Sequence, residues 1–507
     1  MIDFHALQSA FGILSSSNLA WLLVVPGVVL GMLGGALPGV SGALILALVL
    51  PLTLRMDFLP ALVFLTAIHT GSLFGVAVPA ILMNVPGSAA AVATSFDGYP
   101  MSRRGEHNIA LGLALSASVL GHLGAYILLF LWIEPISHAV LKLGPPEMLL
   151  IMLWGLTLIA ALRGKHMSRS LLAGAIGILI GTIGLSPGGA IRGTLGFPAL
   201  LDGVPVISAL IGLFAAGELF NLAGTKFLVD AAEHRHVRIG EIVRGMLQAL
   251  RYPFVILRGL AIGSTIGGLP GVGASVCNLI SYVETRRTDK HPETYGTGNP
   301  KGVVAAEAGN ASSEGGSMAT LLALGIPGGA SSAVMLAAFA LHNINGGPQF
   351  ISKSKDVVYA IIMTNFANGV VLLVLGILLT GLMANIVRIP VRILIPAILA
   401  LATFGAYSFD GSMVGPITMA VFAVLGWFMR RHDYSIPACA VGLILGKNIE
   451  GALINCFQIS GGTIGYFLGR PIALTLLVLL VGSIVYRPTM QRLRAWGKPV
   501  EKEPVGC

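Results

Sequence analysis

Apolar residues in this chain run on without the alternation of a strand or the polar stripe of a surface helix. Uncharged runs cover 4–54, 58–96, 108–133, 170–191, 259–283, 315–352, 357–387, 411–429 and 471–486. A helix needs about 20 residues at about 1.5 Å each to cross the hydrocarbon of a bilayer. The longest runs therefore hold one span plus a re-entrant piece, or two spans and a turn. With the shorter apolar stretches 148–162, 204–217, 393–409 and 434–446, the pattern predicts an all-α, polytopic membrane protein of roughly 10–13 transmembrane segments. A β-barrel would instead alternate over about ten residues per strand.

Glycine and proline interrupt these runs in a repeated way. Gly31-Met-Leu-Gly-Gly-Ala-Leu-Pro-Gly-Val-Ser-Gly42 is echoed by Gly263-Ser-Thr-Ile-Gly-Gly-Leu-Pro-Gly-Val-Gly-Ala274, which starts 232 residues later. Asn84-Val-Pro-Gly-Ser88 follows the first copy, and Gly325-Ile-Pro-Gly-Gly-Ala-Ser-Ser332 follows the second. Gly75 stands eleven residues before Pro86, and Gly316 eleven before Pro327. Matched elements at matched spacing predict two homologous repeats, each with broken or re-entrant helices. An inverted relation is preferred, because secondary transporters alternate access by exchanging the roles of such repeats. The expected organisation is a first membrane repeat over 1–225, a basic cytoplasmic connector over 226–251, a second membrane repeat over 252–486 and a basic cytoplasmic tail over 487–507. Segments 130–250 and 357–486 read as scaffold. Segment 284–301, rich in turn formers and both charge signs, reads as an ordered surface loop or a plain connector.

Pro38 and Pro270 lack an amide hydrogen and clash with the preceding turn, so both are expected helix breaks. Broken backbone survives at membrane depth only where protein or a watery cavity surrounds it. Kinks or close-packing sites are the plainer alternative. The second breaks put small residues and hydroxyls where a half-helix would start, and its unpaired amides and positive dipole end attract a carboxylate. The candidate substrate-binding residues are therefore Gly39, Asn84, Pro86, Gly87, Ser88, Gly271, Asn310, Pro327, Gly328 and Ser331, with Ser332 a further hydroxyl. No Lys or Arg stands inside the apolar runs to neutralise a buried anion. Ionisable residues near these positions are His69, Asp97, Glu307 and Glu314; the last two are candidates for coupling to a proton or Na⁺. A place at the membrane surface is equally open for them, since Lys301 is six residues before Glu307. Asn278, Asn365 and Asn368 read as helix-to-helix bonds.

Composition sharpens this picture. Only 10% of residues are charged and 55% are hydrophobic, where a soluble domain carries about a quarter charged. A net charge of +9 on a soluble chain would raise nucleic acid as a partner; here the partner is the lipid bilayer. The cations cluster in connectors, at Arg103-Arg104, Arg163 to Lys165, Arg235 to Arg251, Arg286-Arg287, Arg430-Arg431 and the tail from Arg487, and read as cytoplasmic topology determinants. Lys353, Lys355, Arg388 and Arg392 fit that count poorly. The C-terminus is expected inside, with 434–446 and 471–486 as the last hairpin. The start Met1-Ile-Asp-Phe-His lacks a basic n-region, so the first helix is expected to be retained. Four dispersed cysteines suggest neither a zinc site nor a disulfide framework, and no cofactor is expected. Gly442-Leu-Ile-Leu-Gly446-Lys-Asn448 falls short of a phosphate-binding loop, and neither H-E-x-x-H nor G-x-S-x-G occurs, so no enzyme is expected.

Taken in order, G-x-x-G-G-x-L-P-G at 31–39 with its counterpart at 263–271, N-V-P-G-S at 84–88, D-G-Y-P-M at 97–101, Y-G-T-G at 295–298, E-A-G-N-A at 307–311 and L-G-I-P-G-G at 324–329 closely resemble the TctA family. These proteins are the large permease subunits of tripartite tricarboxylate transporters, and the likeness runs over essentially the whole chain. It implies a secondary active importer of the bacterial cell inner membrane. The implied partners are a small four-span membrane subunit (TctB-like) and a periplasmic solute-binding protein (TctC-like). The implied cargo is a citrate-like tricarboxylate or another organic acid, driven by a Na⁺ or proton gradient. The family's breaks fall on Pro38, Asn84 to Ser88, Asn310 and Pro327 to Gly329. The chain departs from the family pattern at Gly309, at Gly346-Gly347-Pro348, at Lys301, where an acid is common, and at Glu314, where a small neutral residue is common. These departures put the anion and the coupling ion in question more than the fold. An anion channel or a structural membrane scaffold is the alternative, although a pore should leave a continuous polar face along several helices. A membrane enzyme would need paired acid and base groups, which only Glu307 and Glu314 begin to offer.

Overall fold

Two helices, Phe58–Met83 and Pro300–Leu324, form the centre of the molecule, and nearly every side chain on both is buried. The computed structural model describes residues 3–37, 39–85, 87–163, 167–186, 188–216, 237–270, 273–386, 391–463 and 469–496. Among these the chain is all-α apart from one short ladder, Gly184–Leu185 with Ile191–Arg192. Asn18–Gly35 lies along the first central helix and Pro253–Gly267 along the second. Glycine permits both approaches. A Cβ on Gly35 would sit 2.8 Å from the Ser72 carbonyl oxygen, and one on Gly267 2.7 Å from the Ser313 Cα, so backbone meets backbone directly. Gly27 faces Phe64 and Ala67 while Gly35 faces Ser72; Gly259 faces Ala308 while Gly267 faces Ser313. Each flanking helix therefore runs parallel to its central helix.

The long helix His107–Val140 reaches from one end of the molecule to the other. At its first end Asn108 donates to Glu241 at 2.8 Å, and nearby Arg104 donates to the carbonyls of Thr297 and Gly298. At its second end Glu134 accepts from Lys355 at 3.1 Å, and Lys355 also reaches Asp3. Lys355, poorly placed by the charge count, is thus matched by two acids. Pro300–Leu324 starts at the first end, next to Gly298. Phe58–Met83 starts at the second, where His342 lies 3.0 Å from the Met56 carbonyl oxygen and Phe58 packs edge-on against Phe350. The two central helices run in opposite directions.

Five described helices are long and apolar enough to cross a membrane: Asn18–Gly35, Phe58–Met83, His107–Val140, Lys355–Ala384 and Ile436–Ser460. Elsewhere glycine and proline cut apolar runs into half-length helices such as Ala330–Leu341. Val370, Val374, Leu378 and Leu382 form an exposed apolar stripe on one long helix, and Ile417, Val421, Val424 and Phe428 another, at the spacing expected of lipid-facing surface.

The polar segments are more ordered than their composition suggests. Helix Gly273–Thr288 extends into the 284–301 segment, whose last part folds over Asp97. The Asp97 carboxylate accepts the amides of Gly296, Gly298 and Asn299, each at 2.8 Å, and the Tyr282 hydroxyl at 2.9 Å. In the basic connector, Ile239–Ala249 is an amphipathic helix docked on His107–Val140, with Ile239, Val243 and Leu247 outward, as in a helix lying at the membrane surface. Part of that connector, 226–236, and the tail beyond 496 lie outside the described residues. The last two helices, Ile436–Ser460 and Pro471–Trp496, both pack on Pro145–Arg163. Gly442 to Gly446 sits inside the first of them, packed on Met167–Gly181, and so is a helix contact.

Candidate anion-binding cavity

Each break ends one helix and starts another. In the first half Asn18–Gly35 stops, the chain turns through Gly39 at φ +78°, and Ser41 caps Gly42–Val49 by accepting the Leu44 amide at 3.2 Å. Further on, Asn84 at φ +55° ends Ala77–Met83, the chain doubles back, and Ser88 caps the short turn Ala89–Ala91 by accepting the Ala90 amide at 3.2 Å. The second half repeats both devices. Gly273 at φ +62° opens Gly273–Thr288. Gly325 at φ +67° ends Pro300–Leu324, and Ser332 accepts the Gly329 amide at 2.8 Å where Ala330–Leu341 begins. Positive φ at Gly39, Gly273 and Gly325 is a conformation that a side chain strains. The tips match in packing as well. A Cβ on Gly87 would lie 2.8 Å from the Gly35 carbonyl oxygen, and one on Gly328 2.8 Å from the Gly267 carbonyl oxygen.

The four helix starts meet around one cavity of about 480 Å³, lined by segments at 39–43, 87–90, 273–275 and 329–332. Such a volume suits a small molecule, for which pockets of roughly 300–1,000 Å³ are usual. The halves come together there: a Cβ on Gly42 would be 3.5 Å from the Ser331 hydroxyl. Helix starts present unpaired amides and the positive end of the helix dipole. Eight serines add hydroxyls to the wall. Ser41 and Ser88 each use an acceptor lone pair on a helix amide, and accepting that bond does not consume the O–H.

One lysine or arginine stands in the wall among the described residues: Arg430, at the end of Val414–Arg431. The charge pattern assigned Arg430-Arg431 to a topology-setting connector and left the site without a cation. The fold brings Arg430 inward because its helix packs on the 206–216 segment, whose Phe214 shares the wall.

Glu307 and Glu314 lie in the protein core, 0% and 2% exposed. Glu307 accepts from the hydroxyls of Thr94 and Ser118. Glu314 accepts from the Thr70 hydroxyl at 3.0 Å and lies 3.4 Å from the Tyr126 hydroxyl and 3.2 Å from His122 Nδ1. His122 Nε2 is 2.9 Å from the Asn365 carbonyl oxygen. Neither acid lines the cavity, but His69 does.

Of the residues singled out from the sequence, Gly39, His69, Gly87, Ser88, Ser331 and Ser332 line the cavity. Pro327 and Gly328 are buried just behind it. Asn84 is exposed, and its visible use is the left-handed end of a helix. Asn310 is buried, donates to the Leu73 carbonyl at 3.0 Å and leaves its Oδ1 without a partner. Pro270 is buried against Gly155. Pro38, Pro86 and Gly271 lie outside the described residues. Asn278 bonds helix to helix, accepting the Ala93 amide and donating to the Ala306 carbonyl. The sequence reading did not single out Ser41, Ser72, Ser275, Ser313, Ser317, His122 or Arg430. Serine beside glycine in charge-free sequence, and a lone histidine in the 108–133 run, were the available signals. Among the described residues no cluster of His, Cys, Asp and Glu is fit to hold a metal ion.

The family described as “Tripartite tricarboxylate transporter TctA family” matches residues 21–441. Two Agrobacterium vitis proteins are similar. One, described as “Uncharacterized 52.8 kDa protein in TAR-I ttuC' 3'region”, is 31% identical over 476 residues, 93% of each chain. The other, “Uncharacterized protein in TAR-II ttuC' 3'region”, is 32% identical over 217 residues, 43% of this chain and 90% of its own. No solved structure matches the chain.

Proposed function

This chain belongs to the tripartite tricarboxylate transporter TctA family, and on that premise we propose that it is the permease subunit of a binding-protein-dependent secondary importer of organic anions. It is a multi-pass inner-membrane transport protein and not an enzyme. The proposed cargo is a tricarboxylate such as citrate or a related carboxylate, taken up with Na⁺ or protons. A TctB-like membrane subunit and a TctC-like binding protein complete the proposed machine.

The observation that carries this reading is the meeting of four helix starts, eight serines and Arg430 on one cavity. Carboxylate oxygens accept only, so a wall of amides, hydroxyls and a guanidinium is complementary to several of them at once. Two of the starts come from each half. That the central helices run oppositely, each with its flanking helix parallel, supports reading the halves as inverted repeats. In the proposed cycle the binding protein delivers the anion at the outer face, coupling cations offset its charge, and the repeats exchange roles to open the cavity inward. The polar groups gather around one cavity, which favours a carrier over an anion channel or a scaffold. Proteoliposomes holding both membrane subunits, given loaded binding protein and an imposed ion gradient, should accumulate labelled carboxylate. Absence of gradient-dependent uptake over a broad panel of di- and tricarboxylates would sink the proposal.

A further inference from the structure

The proton count of the His122–Glu314 pair follows from its neighbours. A carbonyl oxygen only accepts, so His122 Nε2, 2.9 Å from the Asn365 carbonyl oxygen, must carry hydrogen. A neutral imidazole with hydrogen on Nε2 has a bare lone pair on Nδ1. His122 Nδ1 lies 3.2 Å from Glu314 Oε2 without hydrogen-bond geometry between them, and both side chains are 1% exposed. With no proton in the pair, a buried carboxylate would stand beside a neutral imidazole with no cation to balance it, which is costly. The pair thus holds one proton more than a neutral histidine and a carboxylate would, whether it rests on nitrogen or oxygen.

Nothing else in the surroundings replaces that proton. The first central helix brings His69 and the Thr70 hydroxyl, and the long helix brings His122 and the Tyr126 hydroxyl. Lys355–Ile386 brings the Asn365 carbonyl and, through Asn368, an amide. Glu307, two turns away on the same helix as Glu314, has its own hydroxyl partners. No lysine or arginine pairs with Glu314 among the described residues. Imidazole nitrogen is also a poor ligand for a hard cation, so this nest does not suit Na⁺.

His69 joins the pair to the cavity. It lines the cavity wall, is within electrostatic reach of both Glu314 and His122, and its buried Nδ1 has no protein partner. We propose that His122 and Glu314 hold the proton that travels with the anion, and that His69 passes it between the pair and the cavity. This rests on reading the cavity as the anion site. The proton leaves the pair for one His69 ring nitrogen while the other gives its proton to cavity water, so no bond other than N–H and O–H is made or broken. With the proton absent, the pair carries a net negative charge beside the cavity and repels a polyanion. With it present the repulsion is gone, so proton and anion each favour the binding of the other to the same degree.

The test uses proteoliposomes with both membrane subunits and loaded binding protein, and whichever carboxylate of the panel the wild type accumulates. An inward gradient of about one pH unit is worth about tenfold accumulation for each proton carried. Glu314→Gln and His122→Gln should lose that response while still exchanging labelled for unlabelled anion across the membrane. His69→Asn should slow the approach to the same final accumulation. Wild-type response to the pH gradient in Glu314→Gln, or uptake by the wild type that follows a Na⁺ gradient and ignores pH, overturns the proposal. Loss of exchange as well as accumulation in properly inserted Glu314→Gln counts against it too, since the carboxylate would then serve the anion site itself. Failure of the wild type to move any carboxylate would instead strike the proposed function. If Glu314→Gln does not insert, His69→Asn decides: an unchanged rate of pH-driven uptake rejects the relay.

Discussion

The two central helices share a backbone plan and differ in chemistry. Aligned so that Asn84 falls on Gly325 and Gly87 on Gly328, Phe58–Met83 and Pro300–Leu324 break at the same point and double back by the same amount. Both tips rest against a carbonyl of the flanking parallel helix. Yet His69 faces Asn310 in that register, Thr66 faces Glu307 and Leu73 faces Glu314. The two helices agree in what shapes the cavity and differ in which of their positions carry buried ionisable groups. Conformation is set locally by glycine and proline, whereas a buried acid depends on partners from elsewhere, and those partners are free to differ between halves.

The largest effects should come where the halves agree. Gly87→Leu and Gly328→Leu each drive a side chain into a neighbouring helix backbone, and both should abolish uptake while some protein still reaches the membrane. Membrane insertion and uptake measured on both variants decide this, and normal uptake by either one would break the equivalence of the tips. A smaller effect tests the asymmetry of charge, since among the described residues the cation in the wall, Arg430, comes from the second half. Arg430→Gln removes a charged hydrogen bond worth about 1.5–3 kcal/mol, so apparent affinity for a tricarboxylate should fall roughly ten- to hundredfold, less for a monocarboxylate. Equal affinities for all anions in wild type and variant would place the guanidinium outside the site.

The smallest effect concerns the strap over Asp97, which the second half supplies. Within it, burial raises the Asp289 carboxyl, but Lys301, the Tyr295 hydroxyl and the His291 amide outweigh this and bring it from 3.8 to about 2. A carboxyl lowered in the folded state stabilises the fold above its ordinary value, and that contribution is lost as pH falls from 3.8 towards 2. Protease cutting within 289–299 should therefore be slow at neutral pH and rise over that acid window. Asp289→Asn should speed cutting at neutral pH, and an unchanged rate would show that the ion pair with Lys301 does not order the strap.

Much of this architecture was legible because it is written in short-range signals. Gly39, Pro270 and the Pro327-Gly328 pair stand at observed breaks and are readable without any knowledge of neighbours, while Pro38 and Pro86 lie outside the described residues. Burial of Glu307 and Glu314 was not legible, because Lys301 makes the stretch look interfacial, and its true setting depends on Thr94, Ser118, Thr70 and His122 from distant segments. Arg430 looked like one more basic residue at a connector, since charge counting cannot tell an arginine at a helix end that faces the cytoplasm from one that faces a cavity. Asn84 looked like a ligand amide, yet asparagine is also among the residues best suited to a left-handed turn, and that second talent is what the fold displays.

The left-handed and cap residues also bear on which anions fit. Two helix starts belong to one half and two to the other, so neither half alone offers an anion its full set of donors. An occupant long enough to touch both acts as a keystone in an arch, drawing the two sides together. A shorter one can satisfy a single side and leaves the other without thrust. On the proposed function, reach, more than total charge, then becomes the measure by which the carrier would tell one carboxylate from another.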